Sequence, residues 1–267
     1  MKSTHSHPRA REFVTDLAAA GRYDFVSSEA QAVLGVSAAA ARLALNRLAK
    51  RGVIASPARG FYVIVPPEYR SLGCLPADQF IPALMERLDL EYYAGLLSAA
   101  QYHGAAHHRP QEFQVLLAKN RRPIQCGRVR VAFMARKRLA EVQVQRFNTP
   151  RGTVLVSRPE ATAVDLVGYQ HRVGGLDQVA TVLSELAERI DPEKLVMASQ
   201  TAPVSWAQRL GYMLELGGFV EAAALLKAYV REHAKRSTAL LPAAPHSSAQ
   251  RNKGWKLYMN ADVEAQS

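Results

Sequence analysis

The stretch SEAQAVLGVSAAAARLALNRLAKRGVIASPARGFYVIV, from Ser28 to Val65, carries the pattern that decides the fold. Ser28 and Gln31 have the spacing of a capping box, which predicts a short helix from Ser28 to Leu34. Gly35 is free to take the positive φ that a tight turn demands. Ser37 stands as the N-cap of a longer helix, Ala38 to about Arg51, with Val36 placed to pack on Ala41. Gly52 stops that helix. Val53 to Ala55 and Phe61 to Val65 are β-rich, and Pro57-Ala58-Arg59-Gly60 reads as the turn between them.

Upstream, Phe13, Leu17 and Ala20 recur at helical spacing, so Arg9 to Ala20 is expected as a helix ended by Gly21. Asp24 to Ser27 reads as a connector. Downstream, Pro66-Pro67 interrupts the pattern. Three helices and a hairpin then make residues 1–70 a winged helix-turn-helix unit of ordinary domain size.

Beyond the prolines, helices are expected at Ala77 to Leu88 and, in a strongly apolar run, at Tyr92 to Tyr102. Phe113 to Leu117 reads as a buried strand. Val129 to Met134, Val142 to Phe147 and Val154 to Val156 also have strand character. Helical segments follow near Glu160 to Arg172, Leu176 to Arg189, Ser205 to Leu216 and Val220 to Lys235. Thr238 to Gln250, rich in Ala, Pro and Ser, resembles a linker, and Trp255, Leu257 and Tyr258 beyond it are expected to dock on the core. Residues 71–267 are therefore expected as a mixed α/β domain. The fold class is α+β: an N-terminal winged helix-turn-helix followed by a mixed α/β C-terminal domain.

The helix after Ser37 has two faces. Ala41, Ala44, Leu45 and Leu48 share one side; Ala39, Leu43, Asn46, Arg47 and Lys50 point broadly the other way. Small residues beside amide and basic groups suit close approach to a DNA major groove. Ala39 and Ala40 would admit the backbone. Asn46 could bond adenine, and Arg42 or Arg47 guanine or phosphate. Ser37, Lys50 and the hairpin-tip Arg59 complete this first set of candidate DNA contacts. The plain alternative is a small helical bundle with a solvated basic face.

The bulk composition agrees with a polyanionic partner. Of 267 residues, 34 are Lys or Arg and 23 Asp or Glu, a formal net charge of +11. A second cluster, Lys119, Arg121, Arg122, Arg128, Arg130, Arg136, Lys137 and Arg138, holds no acid between its ends. Arg128 and Arg130 alternate with valines, which puts them on one face of a strand. Lys119, Arg121, Arg122, Arg128 and Arg130 are the second set of candidate contacts, with a solvated face again as the alternative.

Other chemistries find little support. Cys74 and Cys126 lack metal-site spacing and fit a reducing cytoplasm. The polar start, Met1 to Arg11 with His5 and His7, has no signal-peptide character, and no apolar run is long enough to span a bilayer. His103, His107 and His108 could tempt a metal assignment, but no third ligand is evident. Ser157 and Glu160 fit a capping box before an apolar helix better than a catalytic pair. Asp165 reads as a buried pairing acid before a catalytic carboxylate. A nuclease would need clustered carboxylates, and Glu112, Glu160 and Asp165 are scattered. No phosphate loop or nucleophile elbow occurs. No catalytic residue, metal or cofactor is expected.

Several pieces in order resemble the AbiEi family, antitoxin-type transcriptional regulators of bacterial type IV toxin–antitoxin systems. They are Arg51-Gly-Val-Ile-Ala, Gly60-Phe-Tyr-Val-Ile, Tyr92-Tyr-Ala-Gly-Leu-Leu-Ser-Ala-Ala-Gln-Tyr-His-Gly104 and Arg109-Pro-Gln-Glu-Phe-Gln-Val-Leu116. Ser157-Arg-Pro-Glu-Ala-Thr-Ala-Val-Asp-Leu166, Gln208-Arg-Leu-Gly211 and Lys253-Gly-Trp-Lys-Leu-Tyr-Met-Asn260 continue the series. The resemblance implies a winged helix before a mixed α/β domain. It implies binding of double-stranded DNA at operator repeats in the protein's own promoter, hence autorepression. It also implies a cognate nucleotidyltransferase-like toxin, opposed without a stable complex. The competing expectation is an interaction module that neutralises a toxin by direct binding. No heptad marks a dimer helix, so a monomer on each repeat is the expected binding unit.

Overall fold

Phe13 and Phe25 meet edge to face at 5.2 Å, and the first helices assemble around this pair. The structure, a computed structural model, describes residues 9–105 and 110–264. His5, His7, His107, His108 and Arg109, discussed above, lie outside the described residues. Helix α1 (Ala10–Ala19) leads to strand β1 (Asp24–Val26), helices α2 (Ser27–Leu34) and α3 (Ala38–Lys50), and strands β2 (Ile54–Ala58) and β3 (Phe61–Ile64). Phe13, Val14, Phe25, Ala30, Leu34, Leu45, Leu48, Ile54 and Ile64 form their common core. Gly35, at φ 61°, lets α2 end and α3 set off at 108° to it.

Three local expectations are corrected here. Asp24 to Val26 is a strand, not a connector, paired antiparallel with β3 through Asp24↔Val63 and Val26↔Phe61. Burial of Phe25 under the hairpin fixes that pairing, and a three-residue strand has too short a pattern to announce itself. The chain then arrives extended at Val26, which becomes the N-cap position of α2. The Ser28–Gln31 capping box therefore does not form. Glu29 instead pairs with Arg22 at 2.7 Å. The turn expected at Pro57 to Gly60 shrinks to Arg59-Gly60, because β2 continues through Pro57 on a bulge.

The second part is built on a six-stranded mixed sheet. Helix α4 (Ala77–Arg87) precedes strand β4 (Tyr92–Ala94), helix α5 (Leu96–Tyr102) and strands β5 (Phe113–Leu117), β6 (Ile124–Cys126), β7 (Val129–Ala135), β8 (Val144–Thr149) and β9 (Gly152–Ser157). Their spatial order is β6-β7-β5-β4-β9-β8, with β5/β7 and β4/β9 parallel and the other pairs antiparallel. Alternation along β5 sends Val115 and Leu117 toward α4 and Leu116 toward the opposite face. That opposite face carries α6 (Pro159–Gly168), α7 (Leu176–Leu186), α8 (Pro192–Gln200), α9 (Val204–Leu216) and α10 (Val220–His233).

The run from Tyr92 to Tyr102 is not one helix. Its first three residues form β4, inside the sheet, and the helix begins only at Leu96. Gly95 makes the corner, where a β-carbon would lie 2.4 Å from Leu116 Cδ1. Strands β10 (Thr238–Ala239), β11 (Gln250–Asn252) and β12 (Leu257–Met259) close the chain as a small sheet ordered β10-β12-β11. The segment expected as a linker thus supplies a strand at each end. Asn260 pins its middle, accepting from Leu241 N and donating to the carbonyls of Leu241 and Ala244. Trp255 and Leu257 dock in full burial.

The first helices are fixed to the large sheet. Phe61, Val63 and Val65 share a core with Phe80, Ile81, Leu84, Val115 and Phe133, and β2 packs on β6. Arg151, in the β8–β9 turn, lays its guanidinium over the Tyr23 ring at 3.9 Å and donates to Gln79 Oε1 at 2.5 Å. Cys74 and Cys126 are buried free thiols that hydrogen-bond to each other, which pushes the Cys74 thiol well up from its ordinary range.

Candidate nucleic-acid interface

Helix α3 begins where the Ser37 hydroxyl accepts the backbone N–H of Ala40 at 3.3 Å, filling one of the donors a helix start leaves open. Ala41, Leu45 and Leu48 face the core. Ala39, Arg42, Leu43, Asn46, Arg47 and Lys50 are all exposed. Their spacing of three, four, seven, eight and eleven from Ala39 places them along one stripe. Ser37 and Ala40 are exposed at its N-terminal end. No acidic residue occurs in the helix. Leu43 was not among the expected contacts, yet it sits in the middle of the stripe; its spacing from Ala39 and Arg47 was the available signal.

Arg59 is exposed at the hairpin tip, and its carbonyl accepts from Arg87 at 3.4 Å. Gly60 beside it takes φ 71°, a left-handed value that glycine adopts without strain.

The second basic cluster divides. Lys119, Arg121 and Arg122 are exposed in the β5–β6 loop. Arg128 and Arg130 are exposed on either side of half-buried Val129, and they line a cleft of about 450 Å³ that also receives Asp78 and Glu112. Arg136 and Arg138 behave differently. The Arg136 side chain is 2% exposed and donates to Asp165 Oδ1 at 2.8 Å and to Thr201 O at 2.8 Å. Arg138 pairs with Glu141. Arg136 is thus a core cation, set inside by its place at the end of β7 opposite α6.

Asp165 also accepts from the Tyr93 hydroxyl at 2.6 Å. Burial pushes its carboxyl up, while the Arg136 charge and these hydrogen bonds oppose the shift. Every carboxylate oxygen has a partner, which fits the pairing role over the catalytic one.

Ser157 and Glu160 do not form the expected capping box. Helix α6 starts at Pro159, with Arg158 in the N-cap position. Ser157 is the last residue of β9, and its side chain turns inward to share a hydrogen bond with Thr162 Oγ1 at 2.7 Å. The Ser157 carbonyl accepts from His103 Nε2 at 2.7 Å. Glu160 accepts from the Asp191 amide at 3.1 Å. His103 is buried, and burial lowers its pKa. Among the described residues no three His, Cys, Asp or Glu side chains converge on a metal position. Among the same residues no single helix is long and apolar enough to cross a membrane.

The motifs that carry the resemblance meet in space as scaffold. Gln208 Nε2 donates to the carbonyls of Arg236, Trp255 and Lys256. Arg209 Nε donates to Ala239 O at 2.9 Å, and burial lowers its pKa to about 10. These bonds tie α9 to the closing sheet. Residues 93–216, from β4 to the end of α9, match the AbiEi antitoxin C-terminal domain. Over that stretch the chain is similar to the AbiEi family. The matched region covers the six-stranded sheet, apart from Tyr92 at the start of β4, and helices α5 to α9. Among curated proteins, none matches the chain. The solved structure of the RV2827C protein from Mycobacterium tuberculosis shares the fold, with TM-score 0.68 and 19% identity over 93% of this chain and 90% of that one. The AbiEi match begins after α3, so the basic stripe lies outside it.

Proposed function

We propose that this protein is a sequence-specific DNA-binding transcriptional repressor that serves as the antitoxin of a type IV toxin–antitoxin system and autoregulates its own operon. The AbiEi domain supports the antitoxin part. One observation carries the DNA-binding part: the exposed, acid-free stripe of Ala39, Arg42, Asn46, Arg47 and Lys50 on α3.

In this reading α1 to α3 and the β2–β3 hairpin are a winged helix-turn-helix, and α3 enters the major groove. Ala39 and Ala40 allow close approach. Asn46 pairs with adenine, and Arg42 and Arg47 reach guanine or phosphate. Ser37 and Lys50 hold the two ends of α3 against the backbone, and Arg59 touches backbone or minor groove. Lys119, Arg121, Arg122, Arg128 and Arg130 add phosphate contacts that strengthen binding without reading sequence. The partner is operator repeats in the protein's own promoter. A nucleotidyltransferase-like toxin is opposed without a stable complex.

The test is a gel-shift titration against DNA upstream of the protein's own gene, at two salt concentrations, with random DNA as competitor. Retention that outlasts the competitor supports the repressor. Binding that the competitor abolishes at both salts removes the sequence-specific reading.

A further inference from the structure

Leu43 is 59% exposed in the middle of a helix whose other outward residues are polar, basic or alanine. A leucine left in water forgoes the burial that its side chain would otherwise gain. Val36 is 37% exposed in the turn before the helix. Val36, Ala40 and Leu43 are spaced by four and three residues, so a narrow apolar track runs from the turn toward the centre of the stripe. Asn46 and Arg47 follow Leu43 at three and four residues, on the same side.

Two occupants could cover this track: another protein surface or DNA. A second copy is disfavoured by charge. A two-fold contact sets the same patch against itself, which would bring Arg42, Arg47 and Lys50 of one copy toward those of the other. DNA has the opposite charge, and its major groove offers one apolar group on a base edge, the C5-methyl of thymine.

We infer that Leu43 is a specificity-determining residue that packs on thymine C5-methyl groups in the operator. Asn46 and Arg47 then take hydrogen bonds from base pairs on either side. The operator should therefore place thymine within the span that α3 covers. This rests on the DNA-binding reading above and adds which base feature the helix recognises.

The experiment uses the full chain and the upstream DNA fragment, in copies where thymine is replaced by deoxyuridine one position at a time. The exchange removes only the methyl group. Wild-type protein should bind about three- to fivefold more weakly for each methyl that Leu43 contacts, the effect of exposing roughly one buried methyl. Leu43→Ala should bind the thymine and uracil copies alike, and its Tm should match wild type because the side chain packs on little of the protein. Uracil-insensitive binding by wild type overturns the inference while leaving a specific repressor in place. An equal uracil penalty in wild type and Leu43→Ala overturns it as well. Loss of all preference for the upstream fragment over random DNA in wild type sinks the DNA-reading function, and this inference with it.

Discussion

The indole of Trp255 occupies the space in front of Gly211, where a β-carbon would lie 2.1 Å from the ring. Trp255 is fully buried, and its ring nitrogen donates to Glu215 one turn further along α9. The closing segment is thereby keyed into a helix of the AbiEi domain. Gly211→Ala should destabilise the protein by about 1–3 kcal/mol, the usual cost of overpacking a filled site. Trp255→Ala should cost about 3–5 kcal/mol through the cavity it leaves. Denaturant unfolding of both single variants and the double variant checks the contact. The double should cost clearly less than the sum, and strict additivity would show that the two do not meet.

Arg136 and Asp165 form a second keyed pair, buried on both sides. Removing one partner leaves the other charge without compensation. Arg136→Met and Asp165→Asn should each cost about 3–5 kcal/mol, and Arg136→Met with Asp165→Leu should recover part of that loss. Chemical denaturation is the measurement. A double variant no better than the worse single would mean that Tyr93 and Thr201, not the ion pair, dominate the site.

These two pairs also mark how far the sequence could be read. Helix α3 was legible because its apolar period and the Ser37 cap agree, and a helix once placed assigns its own faces. Strand Phe113 to Leu117 was legible as an apolar run of strand length. Tyr92 to Ala94 was not, since an unbroken apolar run has no period and only β5 and β9 on either side make it a strand. Helix α8, capped by Asp191 accepting from Glu193 and Lys194 amides, went unforeseen because its pattern is weakly apolar. Arg136 looked like one more surface cation. Its acid stands 29 residues on and reaches it only through the packing of α6 on the sheet.

His103 predicts a pH dependence. Its Nε2–H donates to the Ser157 carbonyl at 2.7 Å, leaving Nδ1 to accept from Gln145 at 3.4 Å. Burial, and then Arg189, lower its pKa, although the Ser157 bond and Glu160 act the other way. The folded protein therefore resists protonation at this ring more than the unfolded chain does. Stability from this residue is complete above the ordinary histidine value of 6.5 and is lost as pH falls through the lowered folded value. Melting curves from pH 8 downward should show Tm declining on the acid side in wild type. The decline should be shallower in His103→Gln, which keeps a donor for Ser157 and cannot titrate. Parallel profiles would assign the acid sensitivity elsewhere.

Arg47 and the pair Arg128 and Arg130 should fail in different ways if the DNA-binding proposal holds. Arg47 stands on the α3 stripe among groups suited to base edges, so Arg47→Ala should weaken binding to the upstream fragment by about 1–3 kcal/mol and leave random-DNA binding nearly unchanged. Arg128 and Arg130 stand on β7 and the turn before it, away from the α3 stripe, beside a cleft that also receives Asp78 and Glu112. Changing both to alanine should weaken specific and random DNA by similar factors and flatten the dependence of log K on log salt by up to about two units. Titrations of both variants over a salt series separate these roles. If the double variant keeps the full salt slope, the acids of the cleft hold the two arginines and the footprint ends at the hairpin. If it loses slope and Arg47→Ala loses only specificity, recognition belongs to α3 and the sheet edge supplies anchorage.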